Sequence, residues 1–315
     1  MLKRFLYIVL IGWFLLPFSV KANSTLNVQV SIKPIHSIAA FICQGVLEPG
    51  LLMTGQESPH TQALTPTQLQ ALKQADLVIW IGPEYESRWQ QPLHQQVKPE
   101  KILSLSQSPG LTLYPYRQQG ISCDHEHNQE CHHGHEGHSH SGNDGHIWLD
   151  PRNAKVIAQA IAQEIIKLDP EHKAIYEKNL AEFLTKLIDL EYDLHDLLVS
   201  VWDKRYLVYH DGLQYFDRCF RVQMTASLVA EPDLPPNTQD FLRLKKLLSE
   251  TPPEQRPACV FTEPGFDDTF SQNLAAEFNL KRQPIDYIGY DTPQGPQSYF
   301  LMMRQLVADL LKGLS

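Results

Sequence analysis

Seven apolar residues, Tyr176, Leu180, Phe183, Leu187, Leu190, Leu194 and Leu197, recur in steps that alternate four and three. Such a rhythm is one uninterrupted stripe along an α-helix. Asp169-Pro170 caps its start, so the helix runs for about 28 residues and spans about 40 Å at 1.5 Å per residue. That is longer than one small domain needs. In a chain of 315 residues, it predicts two modest domains with a stiff strut running along both.

The segments on either side alternate strand and helix. Before the strut, Leu26 to Ile32 reads as a strand and Pro34 to Ile42 as its helix. Thr65-Pro66 caps a short helix through Ala71. Ala75 to Ile81, almost wholly apolar and closed by Gly82-Pro83, suits a strand buried on both faces of a parallel sheet. Residues 84–98 read as helical. A helix also follows Pro151 to about Lys167. Beyond the strut, strands are expected at Tyr206–Tyr209, Ala258–Thr262 and 283–287, with helices at 212–219, Phe241–Ser249, 267–279 and 298–313. The fold class is therefore α/β: two domains with mainly parallel sheets, joined by the long helix. The expected divisions are 23–150, a helical region 151–201, and 202–315. Ligands of open parallel sheets bind beyond the carboxyl ends of the strands.

The first residues read as a signal peptide. Lys3 and Arg4 precede the apolar run Phe5–Val20, and Val20 and Ala22 fit the small-residue positions before a cut after Ala22. A membrane anchor is the competing reading, but the run is short for a bilayer span and no second long apolar run follows. The protein is thus expected to be exported, with no direct membrane span. Removing residues 1–22 takes away three basic residues and no acid, so the formal charge moves from −9 to about −12. Nucleic acid and anionic lipid are poor partners for that charge. Cation capture suits it. The five cysteines, Cys43, Cys123, Cys131, Cys219 and Cys259, are odd in number, so not all can pair within the chain. Cys123 and Cys131 either close a local disulfide or serve as soft metal ligands.

Histidine is over-represented: 14 residues, seven of them between His125 and His140. Residues 116–145 lack any periodicity and read as a long loop, disordered without metal. Of the rest, His36, His94, His172 and His195 fall in helical stretches beside polar neighbours. His60, His146 and His210 differ, since each stands where a strand hands over to a loop. Three neutral imidazoles with an oxygen or an open position make a zinc site. Three unrelated, locally hydrogen-bonded histidines are the alternative, because separations of 86 and 64 residues match no local motif.

The following segments together resemble one family: Ser58-Pro59-His60-Thr61, Ala75 to Gly82, His146-Ile147-Trp148-Leu149-Asp150-Pro151, Tyr209-His210-Asp211 and Phe261-Thr262-Glu263-Pro264. They are similar to the periplasmic metal-binding subunits of zinc and manganese ABC transporters, above all the zinc-binding subunits of high-affinity uptake systems. The resemblance implies two α/β domains bridged by a rigid helix, with the metal between them. It carries the metal histidines onto His60, His146 and His210, where manganese-preferring members have a glutamate in place of His210. It makes Asp286 the candidate fourth ligand, with Glu57 or water as alternatives. It also implies Zn2+ as the transported ligand, an inner-membrane ABC permease as partner, a monomer, and no catalysis. Members often tie the counterpart of Cys259 to a cysteine near the C-terminus, and residues 301–315 contain none.

Three other readings compete with a zinc carrier: a manganese or other divalent-metal carrier, a zinc buffer or adhesin-like protein without a permease, and a zinc hydrolase. The hydrolase lacks support, since there is no H-E-x-x-H and no nucleophile elbow. Glu263, Trp148, Tyr209 and Phe266 are expected to shape the surroundings of the site. The histidine-dense loop is expected to collect zinc and pass it to His146.

Overall fold

The computed structural model describes residues 25–54, 58–117, 142–229, 237–264, 266 and 269–315. The signal-peptide residues, Glu57, Cys123, Cys131 and His125–His140 lie outside them.

Apolar runs that face helices on both sides form parallel strands, and two four-stranded sheets result. The first contains β1 (Val28–Val30), β2 (Gly50–Leu51), β3 (Leu77–Trp80) and β4 (Ile102–Ser104), in the order β2-β1-β3-β4. The second contains β5 (Arg205–Val208), β6 (Gln223–Ser227), β7 (Cys259–Thr262) and β8 (Lys281–Pro284), in the equivalent order β6-β5-β7-β8. All six pairings are parallel. Strands β2, β4 and β6 have no counterpart in the sequence reading, because they are edge strands without a long apolar run.

Helices α1 (Lys33–Cys43), α2 (Pro66–Gln74) and α3 (Gln90–Gln96) belong to the first half. Thr65 closes a full capping box: its hydroxyl accepts from Gln68 N at 3.3 Å, and Gln68 Oε1 accepts from Thr65 N at 2.8 Å. Thr65→Ala is expected to cost about 1 kcal/mol, read as a lower urea midpoint with unchanged slope. The stretch expected to be helical over 84–98 begins instead with a buried turn and a 3₁₀ turn at Ser87–Trp89.

Asp150 and Pro151 start α4 (Pro151–Leu168), and the strut itself is α5 (Lys173–Leu198), preceded by a 3₁₀ turn at Pro170–His172. Its buried residues are Tyr176, Phe183, Leu187, Leu190, Leu194 and Leu198. Leu197, expected on the stripe, is half exposed. A true 3.6-residue repeat drifts from strict four-three alternation, so the last buried position falls one residue later. Helix α5 packs against α1 and α4 of the first half, and against α6 (Gln214–Phe220) and α9 (Ser298–Leu314) of the second.

Helices α7 (Thr238–Glu250) and α8 (Thr269–Phe278) cover the outer face of the second sheet. Helix α9 packs on β7 and β8, then reaches back onto α1. One apolar core therefore runs unbroken from Val28 through α5 to Leu314. Polar ties reinforce the junction. The indole N–H of Trp148 donates to Tyr287 O (3.1 Å), Tyr299 Oη donates to Trp148 O (2.9 Å), and Tyr299 N donates to Ser37 Oγ (2.8 Å).

The histidines of the helical stretches have local partners. The His36 ring bonds Pro49 O at 2.9 Å and that of His172 bonds the Asp169 carboxylate. His195 stacks edge-on against Trp202 and His94 against Trp80. Cys43, Cys219 and Cys259 are free thiols.

Candidate metal centre

Each histidine of the candidate centre is delivered by a different piece of local structure. His60 sits in a tight turn after β2, closed by Thr61 N and Gln62 N donating to Ser58 O. His146 precedes the 3₁₀ turn Ile147–Leu149 that leads into α4. His210 follows β5, and the next two residues turn sharply, with Gly212 N donating to His210 O at 2.9 Å. A side chain at 212 would meet Tyr287 Oη at 2.7 Å and His146 Nε2 at 3.1 Å, so only glycine lets this turn approach so closely.

The three imidazoles converge. Their candidate ligand atoms all lie within 4.8 Å of one another, and all three residues are buried. Ring centroids stand 5.2, 5.4 and 5.3 Å apart for the 60–146, 60–210 and 146–210 pairs. The first two residues come from one half and the third from the other. Tyr85, Trp148 and Tyr287 pack edge-on or tilted around them.

Each ring has its other nitrogen held. His60 is hydrogen-bonded to the backbone of Tyr85. His146 Nδ1 lies 2.7 Å from Asp144 Oδ1, and His210 Nδ1 lies 2.9 Å from Glu263 Oε2. Tyr287 Oη donates to the same Glu263 oxygen at 2.6 Å. Carboxylates that accept the Nδ1–H hydrogen bond fix that tautomer and leave the Nε2 lone pair for a cation. The Nε2 atoms of His146 and His210 then face each other at 3.4 Å. Two nitrogens about 2.0–2.1 Å from one tetrahedral ion stand about 3.4 Å apart, so this pair is spaced as two zinc ligands are.

The electrostatics agree with that geometry. Burial, then the two neighbouring imidazoles, hold His60 well below the ordinary histidine range. Burial and His210 bring His146 down to about 3. Burial also acts to lower His210, but Glu263 and Asp211 outweigh it and the net shift is upward. Burial raises the Asp144 carboxyl to about 6. Asp144→Asn keeps an acceptor oxygen but not the charge, so zinc affinity is expected to fall toward the lower end of the about 10–100-fold range for outer-shell partners, measured by competition with a chelator.

Asp286 lies outside the cluster of ligand atoms. Its Oδ1 accepts from Ile288 N (3.1 Å) and Gly289 N (2.7 Å), and its Oδ2 from Asp291 N (3.2 Å), so the carboxylate caps its own turn. It does border a cavity of about 10 Å³ beside His60 and His210, room for about one water. The strand expected at 283–287 ends at Pro284, which puts Asp286 in the turn rather than on the strand.

The expected loop is narrower than 116–145. Pro115 bridges Asn143, Asp144 N donates to Tyr114 O, and Asp144 is fully buried. The sequence reading missed Asp144, Tyr85, Tyr287 and Arg117. Asp144, an acid two residues before a candidate ligand and able to cap it, was the one visible signal.

Comparison with known proteins places the chain in a family. The family profile described as "ZnuA: Zinc-uptake complex component A periplasmic" matches residues 28–313. The high-affinity zinc uptake system protein ZnuA of Brucella suis is 31% identical over 310 residues, covering 92% of each chain. The protein of the same description from Yersinia pestis is 32% identical over 286 residues, covering 89% of this chain and 88% of its own. Among solved structures, a crystal structure of ZnuA superposes with a TM-score of 0.74 at 24% identity, covering 93% of this chain and all of the other. FpvC of Pseudomonas aeruginosa in complex with Mn2+ does so with 0.75 at 18%, covering 92% and 99%. At such identities the two structures speak for the fold alone. The chain belongs to the ZnuA family of periplasmic zinc-uptake components.

Proposed function

We propose that this protein captures Zn2+ in the periplasm through His60, His146 and His210 and delivers it to an inner-membrane ABC permease. The observation that carries the reading is the buried group of three imidazoles drawn from both halves, two of them with Nε2 atoms 3.4 Å apart. Imidazole suits zinc, whereas added carboxylates suit manganese, and no carboxylate joins that group among the described residues. A water in the small cavity, or Asp286 after its turn opens, completes the shell. The chain acts as a monomeric carrier and not as an enzyme, and residues 1–22 direct its export. The histidines between His125 and His140 supply additional, weaker zinc ligands, because a chain without fixed ligand spacing must be ordered by the metal it binds.

Titrating the metal-free protein with zinc and with manganese, beside a variant lacking residues 121–141, tests this. One tight zinc per molecule is expected in both proteins, with further weaker zinc only in the full chain and manganese bound far less tightly. Tighter manganese, or no zinc retained after the deletion, overturns the reading. Cells lacking the protein should need more external zinc to grow, a requirement relieved by the natural chain and not by His146→Ala.

A further inference from the structure

Residues 112–117 and 142–145 do more than frame the cleft. They belong to the first half, yet their polar contacts reach α6 and the turn before it in the second half. Tyr114 N donates to Tyr215 Oη (3.2 Å), Tyr215 Oη donates to Asp144 O (2.8 Å), and Gln214 Nε2 donates to Pro115 O (3.1 Å). The Arg218 guanidinium lies 4.3 Å over the Tyr114 ring.

At the centre is Arg117. Its Nε and Nη2 grip both oxygens of Asp211 at 2.7 and 2.6 Å, and Nη2 also reaches Asp217 Oδ2 at 2.8 Å. Asp217 in turn accepts from Tyr206 Oη on β5. All three charged side chains are nearly buried, with 11, 11 and 5% of their surface exposed. Such a pair is strong where it is bidentate and shielded from water.

The partner matters as much as the bond. Asp211 directly follows His210 and directly precedes Gly212, the residue that skirts Tyr287 and His146. The guanidinium is carried by the half that supplies His60 and His146, and it grips the turn that presents His210. Separating the halves at the cleft requires breaking this grip.

We propose that Arg117 is a positioning residue for the metal centre: it clamps the His210–Gly212 turn across the cleft and thereby sets how fast bound zinc is released. This rests on the zinc-carrier reading above. Lysine is a point charge and cannot hold both Asp211 oxygens and Asp217 together, so Arg117→Lys should loosen the clamp in part and Arg117→Ala more fully.

The experiment loads the full natural chain and both variants with one equivalent of zinc and follows release to excess chelator by stopped flow. Release is expected to be at least tenfold faster in Arg117→Ala and to take an intermediate value in Arg117→Lys. Release at the natural rate in the folded variants overturns the proposal, even where the apo melting temperature has dropped. Removing the guanidinium strands two buried carboxylates, so if neither variant folds, hydrogen exchange of the natural protein decides. The amides of Tyr114 and Asp144 should then exchange at least tenfold more slowly with zinc than without, and equal rates overturn the proposal. If the natural chain takes up no zinc, the carrier reading itself has failed; tight uptake with unchanged release in the folded variants fails only the clamp.

Discussion

Replacing His146 by alanine is expected to abolish tight zinc binding, with an affinity loss beyond the about 10–100-fold that removal of an outer-shell partner causes. His146 is wholly buried, and its ring lies 5.2 and 5.3 Å from the other two. Its removal deletes one of three nitrogens, the one whose ring Asp144 holds at 2.7 Å. Two imidazoles leave the ion one protein ligand short of the three that a zinc site with an open or water-filled fourth position uses. His60→Ala and His210→Ala should behave alike, since each removes one corner of the same triangle. His172→Ala, whose ring pairs with Asp169 beside the strut, should bind zinc as the natural chain does. Chelator competition across the set is the measurement. Undiminished affinity in all three cleft variants would mean that the metal is held elsewhere.

The second large effect is in pH. A protonated imidazole cannot ligate, so zinc binding releases whatever protons the site holds. Burial and mutual repulsion keep His60 and His146 neutral into acid, the latter down to about 3. His210, raised above 6.5 by Glu263 against the opposing effect of burial, is the group that protonates first. Affinity should therefore be flat well above the raised pKa of His210. It should fall about tenfold per pH unit as pH drops through and below it, because one proton competes with one ion. Below about 6 the decline steepens, as Asp144 takes a proton and ceases to accept from His146. Isothermal titrations between pH 5.5 and 8.5 give the slope. A slope of three just below neutrality would show that all three rings titrate together, contrary to their burial.

Much of this architecture was legible in the sequence because it rests on local rules. The four-three stripe of α5 and the Thr65 capping box are written in neighbouring residues. So is the buried run Leu77–Trp80, whose side chains are all inside. The three histidines were legible as singular residues outside the helices. Only His210 closely follows a strand, while His146 precedes a 3₁₀ turn and His60 sits in a turn well past β2. What could not be read was anything decided by residues far apart. Arg117 and Asp211 are 94 positions apart, and nothing in the composition of 116–145 marks Arg117 or Asp144 for the contacts they make. Glu263 could be suspected of lying near the site, but its bond to His210 spans two strands. Asp286 illustrates the converse: its position after a strand resembled that of a ligand, while three backbone amides nearby claimed its oxygens.

The return of α9 onto α1 bears on the order in which the chain can become native. Tyr299 N reaches Ser37 across 262 positions, and Phe300 packs against Phe41 and Phe183. A nascent chain that has completed its first sheet and the strut still lacks one partner of its first helix until α9 has emerged. Contacts of such sequence separation form late and carry a large loop-closure entropy. The two halves are thus separate in architecture but not in folding: one cooperative unit closes only when its final helix meets its first.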